Sequence, residues 1–220
     1  MKVEFLDAVK RDIIDAIKSE MKAELDGFKL SLNTELSELK RAVDEKDKEI
    51  NNLNARLAKV EEHADRNEQY SRKHCLLAFG VPPPPLAEGD RENCAETFIA
   101  FSKKHLDIDM KPSDIDIAHR MGLSMEGARP IIVKFSNYAK RSQVYMAKKQ
   151  LKGKRNAMDK PFVIRENLTK RNLELFNSVK RLPQVSNVWT KDGKIFAKVT
   201  RDGGTPEIRR FVSDDDVRQF

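Results

Sequence analysis

A heptad seam occupies the first third of this chain and constrains what it can fold into. From Leu36 the apolar residues advance by alternating steps of three and four: Leu36, Leu39, Val43, Lys46, Ile50, Leu53, Leu57, Val60 and Ala64, with Lys46 the one polar break. A repeat averaging 3.5 residues drifts across the surface of a straight helix of 3.6, so such a seam is buried only by winding around partner helices. The expectation is an obligate oligomer.

The seam also bears on how many chains assemble. With Leu57 at position a and Val60 at d, Arg56 falls at g and Glu61 at e. The run from Arg56 to Glu61 resembles the RhxxhE pattern of three-stranded parallel coiled coils, in which the Arg stem covers the seam and its guanidinium reaches a neighbouring chain's Glu. That favours a parallel trimer built on Leu36, Leu39, Val43, Ile50, Leu53, Arg56, Leu57, Val60 and Glu61. Read instead as a plain surface pair, Arg56 and Glu61 fit a dimer. Upstream, Ile14, Ile17, Met21, Leu25, Phe28 and Leu32 keep helical spacing, with phase shifts from Met21 to Leu25 and from Leu32 to Leu36 of the kind stutters make. Residues 5–70 contain no Pro and one Gly, Gly27, so the spacing predicts a helix of about 95 Å with Gly27 as its one flexible point.

Charge divides at the same place as the pattern. Residues 1–70 carry 13 Lys and Arg against 17 Asp and Glu, a net of −4; residues 71–220 carry 29 against 18, a net of +11. A basic excess confined to the globular part points to a polyanion such as nucleic acid, and it also serves solubility. The chain has no run of about 18 apolar residues and opens on a charged amphipathic helix, so neither secretion nor membrane spanning is expected. Cys75 and Cys94 belong to no C-x-x-C or Cys/His pair of zinc spacing and read as reduced thiols of an intracellular protein.

The remaining 150 residues alternate strand and helix. Residues 74–81 form an apolar strand ended by Pro82 to Pro85; residues 92–106 have helical spacing through Cys94, Ala95, Phe98, Ile99 and Leu106. Strands are expected at 114–120 and 130–135, the second apolar enough to be buried on both faces, then a basic helix at 138–151 and a strand at 161–165. This βαββαβ order is that of a ferredoxin-like fold, shared by RNA-recognition modules. A second small unit follows: a helix over 167–182 with Leu168, Leu173, Phe176 and Val179 on one side, strands at 185–190 and 195–200 around an Asp192-Gly193 turn, a turn at Arg201 to Gly204, a strand at 208–212 and a short helix capped by Ser213 and Asp216. The fold class is therefore α+β, with a coiled-coil helix over 1–70, an RNA-recognition-like domain over 71–166 and a C-terminal α+β domain over 167–220.

Several segments carry a resemblance. They are Tyr70-Ser71-Arg72-Lys73, Phe79-Gly80-Val81-Pro82, Asp116 to Arg120, Arg129 to Phe135 and Glu166-Asn167-Leu168-Thr169. In this order, behind a coiled coil, they resemble the first-open-reading-frame protein of LINE retrotransposons, and similar segments occur in the baculovirus FP protein family. The resemblance implies trimers that bind single-stranded RNA or DNA with chaperone activity and coat RNA in a ribonucleoprotein, cytoplasmic rather than nuclear. It implies basic contacts at Arg72 and Lys73 and at Lys148 and Lys149, an aromatic near the C-terminal hairpin at Trp189, and a charged cleft between the two small units as the path. Base stacking by the first sheet is not expected, because Leu76 and Ile131 to Val133 stand where RNA-recognition modules place aromatics.

Composition supplies further candidates for phosphate contacts: Lys140, Arg141, Lys148, Lys149, Lys152, Lys154, Arg155, Lys170, Arg171, Lys180 and Arg181. The stretch from Lys148 to Arg155 is densest, with five cations in eight residues around Gly153; it reads as a backbone-tracking loop or as a solvated helix end. Trp189, the only Trp, is either a stacking platform or core. His119 and Arg120 read as structural, and the four-proline run as a loop or a ligand for an SH3 or WW domain. No P-loop, G-x-S-x-G or zinc signature occurs, and neither Asp114 with Asp116 nor Asp214 to Asp216 reads as an acid/base or two-metal site. No enzymatic activity, cofactor, metal or small-molecule substrate is expected. A coiled-coil scaffold that binds only protein is the competing class.

Overall fold

The structure, a computed structural model, describes residues 2–85, 87, 89–122, 129–200 and 204–219, and its architecture is α+β. By packing, the chain divides after Glu61 into two units. The first lies within helix α1 (Lys2–Ser71), which passes without a break through Gly27; one glycine costs a helix only about 1 kcal/mol. From Leu36 to Val60 the apolar seam residues are each 51% to 66% exposed. A lone helix has nothing in its own unit to cover that stripe.

The second unit holds two antiparallel sheets, each with its own core. The first core is built from β1 (Cys75–Phe79), α2 (Cys94–Leu106), β2 (Ile115–Arg120), β3 (Ile131–Phe135), α3 (Tyr138–Ala147) and β4 (Val163–Glu166). The strands lie in the order β2-β3-β1-β4. Side chains alternate across a strand, so Leu76 and Ala78 of β1 and Ile131 and Val133 of β3 point to one face, where they pack with Phe98 and Phe101 of α2 and Val144 and Tyr145 of α3. Helix α2 starts where the Asn93 side chain accepts from the backbone N–H groups of Ala95 and Glu96 and stops at Asp107, in the left-handed region.

The second core belongs to α4 (Lys170–Lys180), β5 (Val185–Lys191), β6 (Lys194–Val199), β7 (Glu207–Phe211) and α5 (Asp214–Arg218), with the strands in that order. Leu175 and Val179 of α4 meet Ile195, Ala197, Val199 and Phe211. At the β5–β6 turn both Asp192 and Gly193 have positive φ, the geometry an Asp-Gly pair adopts most readily. Ser213 and Asp216 form the expected capping box of α5.

Four expectations change. Strand β3 is buried on one face only, since Lys134 is exposed and pairs with Asp116 at 2.6 Å. Asp114 precedes β2 in a 3₁₀ turn, where it accepts from the Lys111 N–H at 2.8 Å. Helix α3 ends at Ala147 and Lys148–Leu151 tightens into a 3₁₀ turn. In α4 the buried side carries Leu175 and Val179, and Leu173 is exposed. The turn expected at Arg201 to Gly204 falls mostly on residues 201–203, outside those described.

Gly80, in the Phe79-Gly80-Val81-Pro82 segment, has φ +81 and faces the Pro161 carbonyl so closely that a Cβ would overlap it, while its own carbonyl accepts from Asn156 Nδ2 at 2.8 Å. Gly80→Ala must therefore shift backbone and hold a strained φ. A loss of about 1–3 kcal/mol is expected, read as a lower urea midpoint. An unchanged midpoint would show that the loop after Asn156 yields without cost.

Candidate nucleic-acid interface

The cations expected to meet phosphates fall into separate places, and one leaves the surface altogether. Arg141 is 3% exposed. Its Nη2 binds Glu166 Oε1, and that carboxylate also accepts from the backbone N–H groups of Asp192 at 2.8 Å and Gly193 at 3.0 Å. Tyr138 adds a hydroxyl bond to Asp192 Oδ1, and Tyr145 donates to the Thr190 carbonyl at 2.8 Å. The group ties α3, β4 and the β5–β6 turn together, so Arg141 serves the joint between the two cores and is withdrawn from the phosphate set.

Others are committed to local structure. Arg72 donates to the Asn167 side chain at 3.1 Å and to the Leu168 carbonyl at 2.6 Å, and pairs with Glu68. Lys140 reaches the Asp109 carbonyl at 3.2 Å, Lys154 the His105 carbonyl at 3.0 Å, and Arg155 pairs with Asp159 at 3.0 Å. Lys170 lies 4.0 Å from Glu174. Arg120, paired with Glu92 in a nearly closed site, is structural as expected; its hydrogen bonds hold the Glu92 carboxyl below the usual range.

Other cations gather around depressions in the surface. Lys148, Lys149, Lys152 and Arg165 line a depression of about 450 Å³ beside edge strand β4. Lys148 is half-buried with Nζ 3.6 Å from the Tyr145 ring centroid; burial pushes its pKa down, with Arg141 and Lys149 adding to the effect and Glu166 opposing it. Beneath it, burial raises the Tyr145 hydroxyl to about 12, which Glu166 reinforces. Lys73 and Arg171 meet elsewhere, in a cleft of about 560 Å³ shared with Arg66, Lys194 and Arg210 and with Glu62, Asp65 and Asp192. Lys73 lies 4.6 Å from the centre of the Tyr138 ring.

Lys148 and Arg165 also line a second pocket, of about 550 Å³, with Phe79, Phe176, Lys180 and Trp189. Trp189 is half-buried and stacks on Phe196 of β6, centroids 6.1 Å apart and planes 15° apart; it is both a packed side chain and a pocket wall. Phe79 and Arg165 are absent from the sequence-derived candidates. With Leu76 and Ala78 pointing into the core, parity sends Leu77 and Phe79 to the opposite face, and the β1–β4 register puts Arg165 opposite Leu77. The Arg165 guanidinium then lies 5.2 Å from the Phe79 ring centroid. The first sheet therefore does present an aromatic, on the face opposite Leu76.

Among the described residues no cluster of His, Cys, Asp and Glu could hold a metal ion, and no helix is long and apolar enough to cross a membrane. Both cysteines are buried and unbridged. Compared with known proteins, the chain matches no protein-family model and no curated protein.

Proposed function

We propose that this protein is a non-enzymatic, trimeric single-stranded nucleic-acid-binding protein with chaperone activity, of the LINE first-open-reading-frame type, acting in a ribonucleoprotein particle. The observation that carries the reading is the gathering of Lys148, Lys149, Lys152 and Arg165 around one depression that shares Lys148 and Arg165 with an aromatic-lined pocket. Cations beside aromatic walls are the parts a single strand needs, since phosphates meet charge while unpaired bases meet π-faces. The strand order β2-β3-β1-β4, with α2 and α3 against one face, supports a ferredoxin-like, RNA-recognition-type module. The exposed seam of α1 supports assembly through that helix, and the Arg56 to Glu61 pattern supports three chains.

The basic cluster gives a direct test. Replacing Lys148, Lys149 and Lys152 together by Ala should leave the trimer intact and weaken binding to a single-stranded RNA. The slope of log affinity against log salt should fall by about 0.7 for each phosphate that the variant no longer neutralises. Unchanged binding would remove the cluster from the site. A wild-type trimer that ignores RNA would leave the protein-binding scaffold as the better reading.

A further inference from the structure

The 550 Å³ pocket differs in chemistry from the basic depression beside it. Pockets of ~300–1,000 Å³ with apolar walls and a few placed polar groups are the usual form of a ligand site, and three features say what this one would hold. The residues lining it include Phe79, Phe176 and Trp189, and Arg165 stands over the Phe79 ring, offering a planar guanidinium as a further stacking surface. Its cations are Lys148, Arg165 and Lys180. Its one carboxylate, Glu166, is already engaged by Arg141 and by two backbone N–H groups. The complement of such a site is a flat, unsaturated group attached to an anion.

We infer that this pocket seats an unpaired nucleobase of the bound strand, with Phe79, Arg165 and Trp189 as stacking surfaces and Lys148 and Lys180 on its flanking phosphates. The inference rests on the nucleic-acid reading above and deepens it: binding then has a base-dependent part that phosphate tracking does not supply. A base paired in a duplex has its faces covered by neighbours and cannot enter. Selection for single strands thus resides in the aromatic pocket, while the basic depression contributes affinity for any phosphate chain.

Because Trp189 is the only Trp, its emission reports on β5, the strand that lines the pocket. The full-length protein is titrated with an RNA of about 12 nucleotides and with a strand of the same length and phosphate number that carries no bases. The expected result is that the RNA quenches Trp189 and binds roughly tenfold or more tightly than the abasic strand, with equal salt slopes, since both strands release the same counterions. Phe79→Leu, which keeps an apolar side chain in place, should shrink the affinity gap without changing the slope. Equal affinity and equal emission for the two strands would overturn the base pocket and leave phosphate binding standing. Binding of neither strand would overturn both this inference and the reading it rests on.

Discussion

Arg141→Ala will destabilise the globular unit by about 3–5 kcal/mol, the cost of stranding one partner of a buried ion pair. Both side chains of the Arg141–Glu166 pair are nearly inaccessible, and Glu166 is the hub through which α3, β4 and the β5–β6 turn meet. Without the guanidinium, the carboxylate keeps its bonds from the Asp192 and Gly193 N–H groups but loses the one cation it is hydrogen-bonded to. Asp192, 3.8 Å from Arg141, is deprived of the same neighbour. Urea denaturation followed by circular dichroism measures the effect. Replacing Arg141 by Met and Glu166 by Gln together should cost much less, because no buried charge is left alone. A single Arg141→Ala variant within about 0.5 kcal/mol of wild type would mean that water reaches the site and the joint is not held as described.

On the proposed trimer, polar substitution at Leu53 and Leu57 will leave monomers. Two consecutive seam layers are disrupted, and Asn at both positions leaves amides that a three-stranded seam cannot hydrate without opening. Light scattering should fall from three times the 25.3 kDa of one chain to a single copy. Apparent affinity for a long RNA should fall by about 10²–10⁴, the avidity of linked sites, while affinity for a strand too short to reach a second copy should stay near that of wild type. A trimer that survives both substitutions would disprove the seam assignment, and a wild-type mass of two chains would return Arg56 and Glu61 to the role of a surface pair.

Local patterns were the most legible part of this protein. The Asp-Gly turn, the Ser213 and Asp216 cap and the strand expected at 74–81 each depend on residues within a few positions of one another; the turn and the cap stand where their patterns predict, and the strand is present but shorter, at Cys75–Phe79. Sequence and structure part wherever a residue's role depends on a distant partner. Arg141 sits in a basic helix beside Lys140 and looks like its neighbour; only a carboxylate 25 residues away, across the strand boundary, makes it a core residue. Leu173 has the helical spacing of a buried residue, but the second sheet meets α4 on the side of Leu175 and Val179. Phe79 is hidden by parity: Leu76 and Ile131 to Val133, which suggest a sheet without stacking aromatics, include the residues that face inward, whereas Phe79 lies on the other face.

By itself the sequence determined the long helix with its apolar seam, the separation of acidic helix from basic globular part, and the alternation of strands and helices, because periodicity and net charge are sums over neighbouring residues. Tertiary structure alone decided which cations stay open to solvent and which aromatics share a pocket with them. Those outcomes depend on strand register and on long-range contacts such as the one at Glu166. A side chain's chemistry is written in the chain, but its surroundings exist only once distant segments pack.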